Sequence, residues 1–477
     1  MLTLTPSQQQ AQQTLQAFLA DPTPHTACIL RGYAGTGKTT LIAMLVRQLL
    51  QSGAMTPVLL APTGRAAKVF ANFARHTAST IHKAIYRQQT FVGEDTAFSL
   101  GYNKSQNLLF IVDEASMIAA EDASYTVFGS GNVLQDLLQF AYAADKCKIL
   151  FVGDTAQLPP IGEELSPALQ AERLRYYGLN IYETTLTDVV RQAATSDILL
   201  NATHLRTLLT EHSNPSLPLI KGSSKGSVRF ICGNELIDSL ISSYDKQGED
   251  GTIIITRSNQ RANIYNQGVR ASIFDREDIL TRGDRVMVVK NNYFWTLQAR
   301  RELSAEEQRT TTLPDFLANG DMLEVVRICN VHEQYGFTFA DATLRLSDYD
   351  ENEIDCRLLL STLNSPAPAL TREESQKLFN AIYEDYADIP SKRERMKRLR
   401  EDAYYNALQL KYAYAVTCHK AQGGQWQHVY VDQGYVPEDS SVSEHLRWLY
   451  TAITRASDTL FLVNWPANLR TNSDEED

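Results

Sequence analysis

An α/β protein with two parallel-sheet domains in tandem is what this sequence of 477 residues predicts, on three observations. The first is Gly32-Tyr33-Ala34-Gly35-Thr36-Gly37-Lys38-Thr39, which fits G-x-x-x-x-G-K-S/T and stands between an apolar run at 27–30 and a helical one at 41–46. The second is a series of apolar runs that each end in a polar loop: 58–61, 108–112 and 148–152, the signature of strands buried on both faces of a parallel sheet. The third is a further set of such runs, at 228–231, 252–256, 428–431 and 459–463, with no second glycine-rich loop. The half without the loop must then serve the nucleotide bound by the half that has it.

The loop itself is a P-loop. Its glycines let backbone N–H groups turn inward around phosphate oxygens, and the helix N-terminus that follows adds positive potential. Lys38 is placed to reach the β- and γ-phosphates, and the Thr39 hydroxyl to ligate Mg²⁺. Gly32, Gly35, Thr36, Gly37, Lys38, Thr39 and Thr40 are the candidate nucleotide-binding set.

Before it, Thr5-Pro6-Ser7-Gln8 has the form of a capping box with proline at the first helical position, which starts a helix through Leu19. After it, the strand at 58–61 ends in Pro62-Thr63-Gly64-Arg65, a loop at the carboxyl end of a parallel strand, where such sheets bind ligands. Ser79-Thr80-Ile81-His82 opens a short helix, and 86–107 suggests two short strands around a polar turn, a hairpin inserted into the first domain. The strand at 108–112 delivers Asp113-Glu114. Two carboxylates at a buried strand end need compensation, which Mg²⁺ on Asp113 would supply while Glu114 orients or deprotonates a water. The strand at 148–152 ends in Gly153-Asp154-Thr155-Ala156-Gln157, where Gln157 can sense a γ-phosphate, and Arg191 follows as a lone cation.

Between the strands of the second half lies an insertion of strand formers, at 285–289, 323–326 and 337–339, followed by helices at 371–405, which suggests a small β-barrel with a helical part. The basic run at 392–400 fits either a solvated helix face or a phosphate contact. The expected boundaries are 1–195 for the first domain with its hairpin at 86–107, 196–284 and 406–470 for the second, 285–405 for the insertion, and 471–477 for an acidic tail.

Composition narrows the class. With 43% apolar and 21% charged residues the chain is an ordinary globular protein, and a formal charge of −11 argues against a protein that coats nucleic acid, so any such contact must be a local groove. No apolar run has bilayer length and the N-terminus has no signal-peptide pattern, so a cytoplasmic protein without membrane contact is expected. The six cysteines are scattered without C-x-x-C spacing, which suggests reduced, mostly buried thiols. No N-K-x-D guanine signature follows the P-loop half.

These motifs, in order, resemble those of superfamily 1B helicases of the RecD-like, phage Dda-like group, over nearly the whole chain. The segment from Leu4 through Gln8 to Ala11 resembles the adenine-reading Q motif; Pro62-Thr63 and Thr80-Ile81-His82 resemble strand-binding motifs Ia and Ib; Asp113-Glu114 motif II; Gly153-Asp154 motif III; Arg191-Gln192 motif IV. Thr256 to Asn259, Gly283 to Met287 and Asn319-Gly320-Asp321 are similar to RecD-group signatures, Val416 to Gly423 to motif V, and Leu449 to Ala456 to motif VI. One departure is Gly423-Gly424-Gln425-Trp426, where Ser or Met is commoner; the helical insertion aligns with no motif.

The resemblance implies two RecA-like domains with ATP and Mg²⁺ in the cleft between them, an inserted pin hairpin, an SH3-like barrel, and 5′ to 3′ movement on single-stranded and fork DNA as a monomer. It implies catalytic roles for Lys38, Glu114, Gln157, Arg191 and Arg455, adenine contact by Gln8, and strand contacts by Pro62, Thr63, Thr80, His82, Phe98, Asn259, Thr417, His419 and Lys420. RNA-directed unwinding, or displacement of proteins from DNA without unwinding, are the alternatives.

Overall fold

In the computed structural model, residues 4–88, 98–120, 129–189, 196–211, 217–304, 306–307, 311–314, 316–346, 351–436 and 441–472 are described. The chain divides into two compact units, one of residues 1–232 with 421–477 and one of residues 233–420.

The first unit is organised by a six-stranded parallel sheet. Its strands are β1 (Thr26–Gly32), β2 (Thr56–Ala61), β3 (Ala78–Thr80), β6 (Leu108–Val112), β7 (Lys148–Gly153) and β8 (Asn180–Leu186), in the order β3-β2-β6-β7-β1-β8. Alternate residues of the central strands feed two separate cores: Ile29, Phe110, Val112 and Phe151 on one side, Cys28, Leu30, Ile111 and Val152 on the other. Burial on both faces is why these runs are continuously apolar instead of alternating. All pairings are parallel, so the loops after β1, β2, β3, β6 and β7 emerge at one edge of the sheet.

The helix Pro6–Ala20 begins with the expected capping box: Thr5 N donates to Gln8 Oε1 at 3.0 Å and Gln8 N to Thr5 Oγ1 at 3.3 Å. Its carboxyl end is closed by Lys148 of β7, whose ammonium donates to the carbonyls of Leu19 at 3.1 Å and Asp21 at 2.6 Å. A cation there opposes the negative end of the helix dipole. The strands of the inserted hairpin, β4 (Tyr86–Gln88) and β5 (Phe98–Leu100), pair antiparallel. Phe91 and the side chain of Phe98 lie outside the described residues.

The rest of this unit contains β9 (Ile220–Gly222) and β10 (Val228–Ile231), and, after the second unit, β18 (Trp426–Asp432), β19 (Ala456–Val463) and β20 (Arg470–Asn472). β19 lies between β10 and β18, parallel to both, and β9 pairs with β20.

In the second unit β11 (Thr252–Thr256) runs parallel to β17 (Ala415–Thr417). A closed barrel is formed by β12 (Arg285–Val288), β13 (Met322–Gln334), β14 (Phe337–Leu346), β15 (Asn352–Leu359) and β16 (Leu408–Tyr412). The closing strand β16 lies beyond residue 405 and joins β15 in parallel after the helical segment. The helices Arg372–Asp385 and Lys392–Arg400 pack Leu378, Ile382 and Leu399 against Phe337, Phe339 and Leu359 of the barrel. Within the basic run, Arg395 donates to the carbonyls of Ala387 and Ile389, and Arg398 pairs with Glu394, while Lys392, Arg393 and Lys397 are exposed. Of the run, Arg395 therefore ties its helix to the preceding segment, while the exposed Arg398–Glu394 pair lies within one helix.

The glycine-aspartate pair at 283–284 is a structural hub. Asp284 is fully buried and accepts from Arg270 Nε and Nη2 at 3.0 Å each, Arg276 Nη1 at 3.2 Å, Thr281 N at 2.8 Å and the Tyr414 hydroxyl at 3.1 Å. Among the described residues no cysteine is disulfide-bonded, and no helix is long and apolar enough to cross a membrane.

Candidate active site

The loop after β1 wraps tightly because its glycines permit it. Gly35 and Gly37 adopt φ of +75° and +80°, and a Cβ on Gly32 would stand 2.7 Å from Lys38 Cγ. Gly37 is the N-cap of the helix Lys38–Ser52, so the helix N-terminus opens directly into the loop. Thr36 is fully buried, its hydroxyl donates to Tyr33 O at 2.8 Å, and its carbonyl accepts Gln8 Nε2 at 3.0 Å. Gln8 thus both caps its own helix and braces the P-loop. The Lys38 ammonium folds back onto Gly32 O at 2.6 Å and Tyr33 O at 3.1 Å, and stands 3.8 Å from Asp154 Oδ2. Thr39 is half-buried and Thr40 exposed.

Asp113 ends β6, its N–H donating to Leu60 O at 2.9 Å. Burial, and then the Glu114 carboxylate beside it, push the Asp113 carboxyl well above its ordinary value, with Lys38 opposing. An acid raised in this way gains from a cation, and Mg²⁺ asks for one or two carboxylates with the rest of its shell from phosphate and water. Asp113 with the Thr39 hydroxyl is a donor set of that kind. Glu114 is held in the left-handed region at φ +50°, a conformation uncommon outside glycine and found preferentially at functional sites.

Past β7, Asp154 is almost fully buried and its Oδ1 accepts from Ala156 N at 2.9 Å. Gln157 is buried and its Oε1 has no hydrogen-bond partner; the same is true of the Ser116 hydroxyl after β6. The two atoms lie on the loops that follow the neighbouring strands β6 and β7.

The helix Val442–Ile453 closes this arrangement. Ala34 N of the P-loop donates to the Tyr450 hydroxyl at 2.8 Å, which in turn donates to Asp154 Oδ2 at 2.7 Å. Burial, reinforced by Asp154, holds the Tyr450 hydroxyl well above its ordinary value, so it stays a donor. Leu158 N donates to Thr451 Oγ1 at 2.8 Å, Gln422 Nε2 donates to Leu158 O at 2.7 Å, and Arg447 donates to the carbonyls of Thr155 and Gln157. Arg455 is buried and occupied locally: its guanidinium donates to Thr451 O at 3.0 Å, Gly424 O at 3.2 Å and Thr454 Oγ1 at 3.1 Å. Arg447, Tyr450 and Gln422 have no role expected from the sequence. Arg447, Tyr450, Thr451 and the C-cap Thr454 follow i, i+3, i+4, i+7 spacing and share one face of the helix Val442–Ile453.

The remaining candidates fall as follows. Pro62 and Thr63 lie in the turn after β2, Thr63 capping the helix Gly64–Ala74 by accepting from Ala66 N. Thr80, at the end of β3, caps the helix Ile81–Ile85, on which the His82 ring lies 5.6 Å from that of Tyr86. In the second unit Asn259, Thr417 and Lys420 line one cleft, joined by Asn263 and Lys411. Burial pushes the Lys420 ammonium down to about 8, and it donates to the Asn319 side chain. His419 is exposed. Arg191 lies outside the described residues.

An AAA domain model matches residues 3–210 and a UvrD-like helicase C-terminal domain model residues 412–463. The ATP-dependent RecD2 DNA helicase of Deinococcus radiodurans is 32% identical over 176 residues, 37% of this chain and 21% of that one. The ATP-dependent DNA helicase dda of Enterobacteria phage T4 is 22% identical over 96% of this chain and 99% of its own. A crystal structure of Pif1 helicase from Bacteroides with ADP-AlF3 and ssDNA aligns over 98% of this chain and 93% of that one, at TM-score 0.48 and 16% identity. The chain therefore carries an AAA domain and a UvrD-like helicase C-terminal domain and is a homologue of the RecD2 and Dda helicases.

Proposed function

We propose that this protein is an ATP- and Mg²⁺-dependent DNA helicase of superfamily 1B, whose ATPase is stimulated by single-stranded DNA and which moves 5′ to 3′. The observation that carries the reading is the bonded bridge from P-loop to closing helix: Ala34 to Tyr450 to Asp154, with Asp154 beside Lys38. It ties the phosphate loop to the helix that precedes Arg455.

In this reading the Lys38 ammonium leaves the Gly32 and Tyr33 carbonyls for the β- and γ-phosphates of entering ATP. Thr39 and Asp113 would hold Mg²⁺, which when bound neutralises charge on the phosphates. Glu114 takes a proton from the attacking water, and the unpartnered Gln157 Oε1 accepts its other hydrogen. Arg191 and Arg455 supply positive charge to the transition state. To do so Arg455 must give up its bonds to Thr451, Gly424 and Thr454, so hydrolysis is coupled to a rearrangement of that loop.

Strand contact is assigned to Pro62, Thr63, Thr80, His82 and Phe98, and to Asn259, Thr417, His419 and Lys420. Hydroxyls, amides and a cation of this kind grip phosphate and sugar without reading sequence. Lys38→Ala and Glu114→Gln should each fold and fail to hydrolyse ATP. Wild-type turnover in either removes the assignment, and stimulation by oligo-U in place of oligo-dT would redirect it to RNA.

A further inference from the structure

We propose that the stack of Arg65 on Trp426 is a positioning contact that links the strand-binding loop after β2 to the loop holding Arg455, so that engagement of a single strand is felt where ATP is hydrolysed. The proposal rests on the function proposed above. It concerns the stretch Gly423-Gly424-Gln425-Trp426, which departs from the family pattern.

Arg65 sits in the first turn of the helix that Thr63 caps, and its guanidinium carbon lies 4.1 Å from the Trp426 ring centroid. The ring is 3% exposed. The two preceding glycines have no room for side chains. A Cβ on Gly423, at φ +73°, would stand 3.0 Å from Ala66 Cβ and 3.5 Å from Thr63 Oγ1; one on Gly424 would stand 2.5 Å from the Trp426 ring and 3.0 Å from Arg65 Nε. The loop is thereby pressed against the turn that carries Thr63.

From this loop the bonds continue inward. Gly424 O accepts from Arg455 Nη1 at 3.2 Å, and Trp426 N donates to Arg455 O at 3.0 Å. Arg455 Nε donates to Thr451 O, Thr451 Oγ1 accepts from Leu158 N, and Leu158 follows the unpartnered Gln157. Every link lies within one compact unit. A phosphate held at Thr63 acts on the first turn of the helix that carries Arg65, and a shift of that turn moves the guanidinium and with it the ring it covers. The loop is thus joined to Arg455 at its backbone carbonyl, through Trp426 N, and at its side chain, through Gly424 O.

The test is steady-state ATPase of the full chain with and without oligo-dT, beside thermal melting. Trp426→Leu removes the aromatic face, Gly424→Ala displaces the ring without deleting it, and Trp426→Phe keeps a weaker face for the cation. Basal hydrolysis and KM for ATP are expected to stay within about twofold of wild type in Trp426→Leu and Trp426→Phe; stimulation relative to each variant's own basal rate falls about tenfold in Trp426→Leu and Gly424→Ala and is largely kept in Trp426→Phe. Arg65→Met with Trp426→Leu should lose no more than the worse single variant. Full stimulation of Trp426→Leu and Gly424→Ala, or basal and stimulated rates falling together, overturns the proposal. A wild-type ATPase indifferent to oligo-dT instead overturns the proposed function beneath it.

Discussion

Tyr450→Phe deletes one oxygen and breaks two bonds at the centre of the proposed nucleotide site. The Tyr450 hydroxyl accepts from Ala34 N and donates to a nearly fully buried carboxylate, Asp154. A hydrogen bond to a charged group contributes about 1.5–3 kcal/mol and a neutral one about 0.5–1.5, so the two together amount to about 2–4.5 kcal/mol. The loss falls on the ordering of the P-loop, because Ala34 is in the loop and Asp154 stands beside Lys38. If half is felt there, kcat/KM for ATP drops about tenfold, since 1.4 kcal/mol is a factor of ten. The assay is an ATP titration of Tyr450→Phe and wild type at saturating oligo-dT, with melting curves of both. A variant that melts with wild type and keeps kcat/KM within about twofold would refute the bridge as a determinant of P-loop order.

Asp284→Asn leaves the Arg270 guanidinium buried beside a neutral amide, and the second unit should lose about 3–5 kcal/mol, read by denaturant unfolding. Glu114→Gln should bind ATP with near wild-type affinity and hydrolyse it at least about 10² times more slowly in single turnover. Because burial holds Lys420 at about 8, its charge is complete at pH 6.5 and lost as pH rises through 8. Affinity for single-stranded DNA should therefore fall between pH 7 and 9 in wild type, and less in Lys420→Arg, measured by anisotropy.

The strands β1, β2, β6 and β7 were legible because burial on both faces leaves a sheet centre no choice but unbroken apolar residues. β8 was not, since Asn180-Ile181-Tyr182-Glu183-Thr184-Thr185-Leu186 is half exposed and mixes polar with apolar residues. The barrel was anticipated from β12, β13 and β14. Its closing strand β16 was not, because Leu408-Gln409-Leu410-Lys411-Tyr412 pairs with a partner some fifty residues earlier, and no local signal announces a parallel partner across a helical segment. In the site, the P-loop and the Asp113-Glu114 pair could be read because their chemistry is local in sequence. The Tyr450 bridge could not, since Ala34, Asp154 and Tyr450 meet only once the sheet has formed.

The most direct test of the central claim is strand displacement on forked DNA carrying only a 5′ or only a 3′ single-stranded tail, with ATP supplied or withheld. The account predicts ATP-dependent opening of the 5′-tailed substrate, abolished by Lys38→Ala. Opening that needs no ATP, or that starts from the 3′ tail, would contradict it, as would intact duplexes under vigorous DNA-stimulated hydrolysis.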